Sequence, residues 1–211
     1  MMKLSWLLCL SLLGGFAYAE APQASDWLKV EVIVFQQQHM NDALQAETWP
    51  AVSLTAKSNW IQLVPQAEAD MDDSSLVLPY RLLPNSEWTL AKSDKRLQDS
   101  DDYTVLLHEA WLQPVDAKAP VHITGGQFYP DQSMWQIDGS IRITKQRYYA
   151  VAANLALSLP YNTLPSTETA VDQNGLARFS LHQTQRMRAH AIHYLDNPLF
   201  GMLVVVDKVK S

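Results

Sequence analysis

Toward its C-terminal end the chain reads "HYLDNPLFG", which places His193, Tyr194 and Asp196 within four residues of one another. An imidazole, a phenol and a carboxylate this close could move a proton or grip a polar ligand. Just upstream, "QRMRAHAIHY" supplies Arg186 and Arg188, which share one side of an extended chain and whose guanidinium forks suit carboxylates. A turn explains the same residues without catalysis. Pro198 keeps Asn197 out of the helical region, Asp196 can bond forward to the backbone, and Gly201 permits a bulge or a close approach. On that reading His193, Tyr194 and Asp196 lock a turn between an arginine-bearing strand and the apolar run "MLVVVDKV".

Other catalytic patterns are missing from the sequence. There is neither G-x-S-x-G nor Ser-x-x-Lys: Ser93 is followed by Asp94, Lys95 and Arg96. The single cysteine is Cys9, inside the leader described below, so no thiol is left to pair with a histidine. The six histidines form no H-E-x-x-H; His190 and His193 have i, i+3 spacing but sit among strand and turn residues, and His108 and Glu109 point to opposite faces of a strand. Glycosidase chemistry needs two carboxylates at a set separation, and nothing selects two among 22 acids; Glu109 and Asp138, inside apolar strands, are expected to face outward or to pair with an arginine. The expectation is a protein that is not an enzyme and takes neither metal nor cofactor.

Binding chemistry is better represented. Trp27, Trp49, Trp60, Trp88, Trp111 and Trp135 follow the leader, and indole rings beside Arg, Asn, Gln or Asp are what a sugar-binding site needs. Trp88 and Trp135 are expected in the core. Trp111, beside Glu109 and Gln113, fits either the core or a binding face, and joins Arg186, Arg188, His193, Tyr194 and Asp196 as a candidate ligand contact.

The elements that position these residues begin after "MMKLSWLLCLSLLGGFAYA". Lys3, the apolar stretch from Leu4 to Phe16 and the small-x-small site Ala17-Tyr18-Ala19 read as a signal peptide cleaved after Ala19. Residues 20–211 are then expected to form a single domain in the periplasm, without disulfides. Losing Lys3 leaves 15 basic against 22 acidic side chains, a net charge of −7 with no basic run, so nucleic acid and anionic membrane surfaces are not expected as partners. No later stretch is apolar for long enough to span a membrane.

Period-two alternation dominates the rest. "WLKVEVIVF" is a strand, half buried at its start and fully buried at its end. The segment 36–75, polar and broken by Pro50 and Pro65, reads as a loop-rich insertion. A helix follows, capped by Asn85 or Ser86, with Trp88, Ala91, Lys95 and Leu97 on it. Strands are then expected in "YTVLLHEAWLQP", in "VHITGGQ" up to a Gly-Gly turn, and in "WQIDGSIRITKQ", with Trp135, Ile137, Ile141 and Ile143 inward and Gln136, Asp138, Arg142 and Thr144 outward. They continue in "RYYAVAANLALSLP", in "LARFSLHQTQRMR" after a hairpin marked by Asn174-Gly175, and in "GMLVVVDKV". The expected fold is α+β: a mainly antiparallel β-sheet with one or two covering helices and a long loop-rich insertion after the first strand. The most apolar strands, Val30–Phe35 and Met202–Val206, should be central.

With "WLKVEVIVF", "LLHEAWLQP" and "RMR…HYLDNPLFGMLVVV" in this order, nearly the whole chain after the leader resembles the CsiV (cell-shape-integrity) family of periplasmic peptidoglycan-binding proteins. The resemblance is weakest over 36–75. It implies a non-catalytic protein that binds peptidoglycan and supports a class A penicillin-binding protein through that enzyme's outer-membrane lipoprotein activator. The alternative is a protein–protein adaptor of the envelope machinery with no direct glycan binding.

Overall fold

The computed structural model describes residues 27–38, 59–65, 79–164 and 175–209. Among them run β1 (Trp27–Gln37), the helix α1 (Ala91–Gln98), β2 (Tyr103–Pro114), β3 (Val121–Tyr129), β4 (Met134–Lys145), β5 (Tyr149–Pro160), β6 (Leu176–Met187), β7 (His193–Asn197) and β8 (Phe200–Lys208). The strands form two four-stranded sheets, ordered β2-β1-β8-β7 and β3-β4-β5-β6, with antiparallel neighbours throughout. Along the two margins β2 lies against β3 and β6 against β7. Each strand therefore neighbours those before and after it in sequence, and β1 pairs with β8, so the meander bends into a flattened ring.

Alternation explains why these segments pair as they do. On β1, Leu28, Val30, Val32 and Val34 point into the space between the sheets, beside Phe200, Met202, Val204 and Val206 of β8. They meet Ile137, Ile141 and Ile143 of β4, Val151, Leu155 and Leu157 of β5, and Phe179 and Leu181 of β6. Burying each such side chain contributes about 1.5–3 kcal/mol. As the apolar runs require, β1 and β8 are the central pair of the first sheet.

The outer face of that sheet carries α1. Ile33, Phe35 and Val205 pack with Leu90, and Leu97 of the helix lies against them. Here the expected cap is corrected: Asn85 and Ser86 belong to a separate 3-10 turn, Asn85–Glu87, and α1 begins after Leu90 with no side-chain cap of its own. Instead Glu31 of β1 accepts the backbone N–H groups of Thr89, at 2.6 Å, and Leu90, at 2.8 Å. A strand carboxylate thus serves the start of the helix.

Three further expectations change. β3 does not stop at Gly125-Gly126 but runs on to Tyr129 through an irregularity in register, where Gly126 has φ +73°. Trp135 shares the inward parity of Ile137, yet it lies near the start of β4 and is 40 % exposed. Asp138 has outward parity but is buried, and it bonds to His122. Of the segment 36–75, Gln36 and Gln37 extend β1, and 59–65 follows the margin of β3, where Ile61 N–H donates to Pro120 O at 2.9 Å and Ile61 O accepts His122 N–H at 2.8 Å. Apart from Gln38, the remainder of that segment, the leader and Asn174 lie outside the described residues. No helix among the described residues is long and apolar enough to cross a membrane.

Candidate functional site

The "HYLDNPLFG" stretch is the β7–β8 hairpin. Asn197 makes its turn: Oδ1 accepts Leu199 N–H at 3.0 Å, and Nδ2 donates to Ser180 O of β6 at 3.0 Å, which fastens the hairpin to the other sheet. Tyr194 stacks on Phe35 with centroids 6.2 Å apart and planes 8° from parallel. Burial pushes its hydroxyl up to about 12, and Asp196, which it also hydrogen-bonds, and Tyr103 add to the shift. The ring crosses Gly201, where an added Cβ would come within 2.7 Å of Tyr194 Cε2. His193 Nε2 accepts the backbone N–H of Arg188 at 3.0 Å, beyond the end of β6. These residues hold one another in the manner of a structural turn.

Trp111 is corrected as a contact residue. It is fully buried opposite Val30, and its indole N–H donates to Gln113 Oε1 at 3.0 Å, so it has no face to offer a ligand. Tyr194 and Asp196 lie on the outer face of the first sheet, whereas Arg186 lies on the outer face of the second. The six candidates therefore do not form one site.

Arg186 does belong to a site. Across the outer face of the second sheet, register aligns Thr144 with Ala150 and Arg186, then Arg142 with Ala152 and Thr184, then Ser140 with Asn154 and His182. The small side chains of Ala150 and Ala152 sink the middle of this face into a trough. At one end is a depression of about 550 Å³ lined by Thr144, Gln146, Arg147, Tyr148, Tyr149, Ala150 and Arg186. Adjoining it is one of about 230 Å³, lined by residues including Ser140, Arg142, Asn154, His182 and Thr184. Tyr148, at the β4–β5 turn, holds the guanidinium carbons of Arg147 and Arg186 at 5.5 and 5.4 Å from its ring centroid. Among the described residues no carboxylate pairs with Arg142, Arg147 or Arg186. Sequence reading missed Arg142, Arg147 and Tyr148, since only the register of three strands brings them together.

Two histidine–carboxylate clusters test for catalysis. His122 Nε2 lies 2.8 Å from Asp138 Oδ1 and its Nδ1 3.0 Å from Gln62 Nε2, with Trp60 at 5.0 Å between ring centroids. Ser140 is its neighbour across the strands, but both imidazole nitrogens are engaged elsewhere and neither reaches the serine hydroxyl. On the other sheet, His108 Nε2 is 2.9 Å from Glu31 Oε1, and Nδ1 is 3.1 Å from Asp94 Oδ2 without hydrogen-bond alignment. Trp88 covers this imidazole at 3.7 Å between centroids. Burial raises the Glu31 carboxyl, but the hydrogen bonds from His108, Leu90 and Thr89 outweigh it and hold the group below its usual value. Both clusters join fold elements together, and no group of three or more possible metal ligands occurs among the described residues.

One exposed aromatic pair is separate from the trough. Phe128 and Trp135, 44 % and 40 % exposed, lie near the β3–β4 turn with centroids 5.2 Å apart and rings tilted by 56°.

Fold and site together define, among the described residues, a small, mainly antiparallel β structure with one helix on the first sheet and a shallow cationic trough on the outer face of the second. The chain belongs to the CsiV family, described as "Peptidoglycan-binding protein, CsiV", whose family model matches residues 2–209. No curated protein and no solved structure matches it.

Proposed function

We propose that this chain is a non-catalytic, periplasmic peptidoglycan-binding accessory protein whose trough on the second sheet meets the wall. The observation that carries the reading is the trio Arg142, Arg147 and Arg186, exposed on one face and without carboxylate partners among the described residues, in a chain of net charge −6 that belongs to a peptidoglycan-binding family. Peptidoglycan stems carry carboxylates, so the overall charge disfavours approach. Screening confines that repulsion to roughly 8 Å at physiological salt. Local guanidinium forks then decide binding.

As the resemblance implies, binding would support a class A penicillin-binding protein through its lipoprotein activator. The exposed aromatics of the first sheet, Tyr103 and Tyr194, are the surface we assign to that contact. The adaptor reading differs in needing no wall contact at all.

Co-sedimentation of the purified protein with intact sacculi tests the proposal, with soluble muropeptides assayed in the same tube. Pelleting without muropeptide release is expected. Arg147→Ala and Arg186→Ala should each weaken it roughly tenfold, the effect of losing a charge-assisted hydrogen bond. Muropeptide release would overturn the non-catalytic assignment. Absence of pelleting would overturn wall binding and leave the adaptor, to be tested by pull-down with the purified activator.

A further inference from the structure

Building on the wall-binding reading, we infer that the trough recognises the peptide stems of peptidoglycan and not its glycan: its ligand is a short, extended peptide with free carboxylates. The floor carries the argument first. Ala150 and Ala152 present only methyl groups, which keep the floor low and leave room for an extended backbone and its side chains. Around them Thr144, Thr184, Ser140 and Asn154 offer donors and acceptors of the kind a peptide backbone requires. From the Arg186 row to the His182 row is four residues along β6. That is roughly 13 Å, the span of about four extended residues.

The cations set the direction. Arg147 and Arg186 gather around Tyr148 at one end of the trough, and Arg142 stands partway along it. A terminal carboxylate at the Tyr148 end and an acidic side chain near Arg142 would match them.

Sugar recognition is poorly served here. Hexose rings stack on open aromatic faces. The Tyr148 ring, 51 % exposed, has two guanidinium groups within 5.5 Å of its centroid that a sugar would have to displace or share, and Tyr149 is buried with Lys145 Nζ at 5.7 Å from its ring centroid. The exposed pair Phe128 and Trp135 sits at the opposite end of β4.

Three wall preparations test the inference: intact sacculi, sacculi stripped of stems by an amidase, and a free stem tetrapeptide used as competitor. The protein should pellet with intact sacculi and at least tenfold less with stripped glycan. The tetrapeptide should compete, its fully amidated form at least tenfold more weakly. Arg147→Ala and Arg186→Ala should each weaken binding roughly tenfold at an unchanged thermal midpoint, Arg186→Lys should weaken it less, and Trp135→Ala should bind normally. Equal pelleting with stripped glycan, or loss of binding in Trp135→Ala alone, would overturn stem recognition while wall binding stands. No pelleting with either preparation would overturn both.

Discussion

Glu31 and His108, on adjacent strands, meet 2.9 Å apart beneath the start of α1, and the same carboxylate takes the backbone N–H groups of Thr89 and Leu90. One buried side chain thus joins two strands and a helix. Removing it would leave an imidazole and two amides without their acceptor. Glu31→Ala should cost about 3 kcal/mol or more, since it leaves several buried donors without their acceptor at about 1–3 kcal/mol each. Glu31→Gln should cost less, since it keeps one acceptor oxygen. Urea denaturation at pH 7 measures both.

Opposite protonation behaviour is expected of Glu31 and Glu109. The folded value of Glu31 is depressed, so its contribution is present above pH 4.5 and is lost as pH falls through the folded value. Glu109 lies opposite Val32 on the interior side of β2, and burial raises its carboxyl to about 7. Its neutral form is favoured by folding, so that contribution is complete below pH 4.5 and disappears as pH rises through about 7. Glu109→Gln should therefore raise the thermal midpoint at pH 8 by several degrees, on the order of 2 kcal/mol. At pH 4.5 it should change little. Equal shifts at both pH values would refute the assignment.

Trp111 separates stability from binding. Trp111→Ala should destabilise by about 3–5 kcal/mol through the cavity it leaves. Trp111→Phe should be milder and retain full sacculus binding, because the indole sits in the core. A specific loss of binding in a normally folded Trp111→Phe would return this residue to the ligand site.

Gly201→Ala tests the hairpin. Its Cβ would lie 2.7 Å from Tyr194 Cε2 and 2.9 Å from Phe35 Cζ, so a ring must shift. The expected cost is about 1–3 kcal/mol. Adding Tyr194→Ser should recover part of it, as judged by the denaturation midpoints of the single and double variants.

The strands were legible because alternation is local, and the central pair because continuous apolar runs are too. What escaped sequence reading depends on distant chain. Trp111 and Trp135 have the same strand-like pattern around them, but only Trp111 points into the core between the sheets from well inside its strand; Trp135 is near a strand end. The cap on α1 comes from Glu31, 58 residues before Thr89. Arg186 was found from its spacing with Arg188, yet β6 ends at Met187 and the two part company there. The trough was invisible, since alanines and arginines on three strands acquire meaning only once the register is known.

The pairing of β1 with β8 has a consequence for biogenesis. Among the described strands the one that seals the ring is made after the other seven, so until it emerges the first strand keeps an open edge and the interior stays uncovered. Chains stopped before Phe200 should remain protease-sensitive throughout, and chains that include β8 should become resistant. In this topology the order of synthesis itself acts as a timer on maturation.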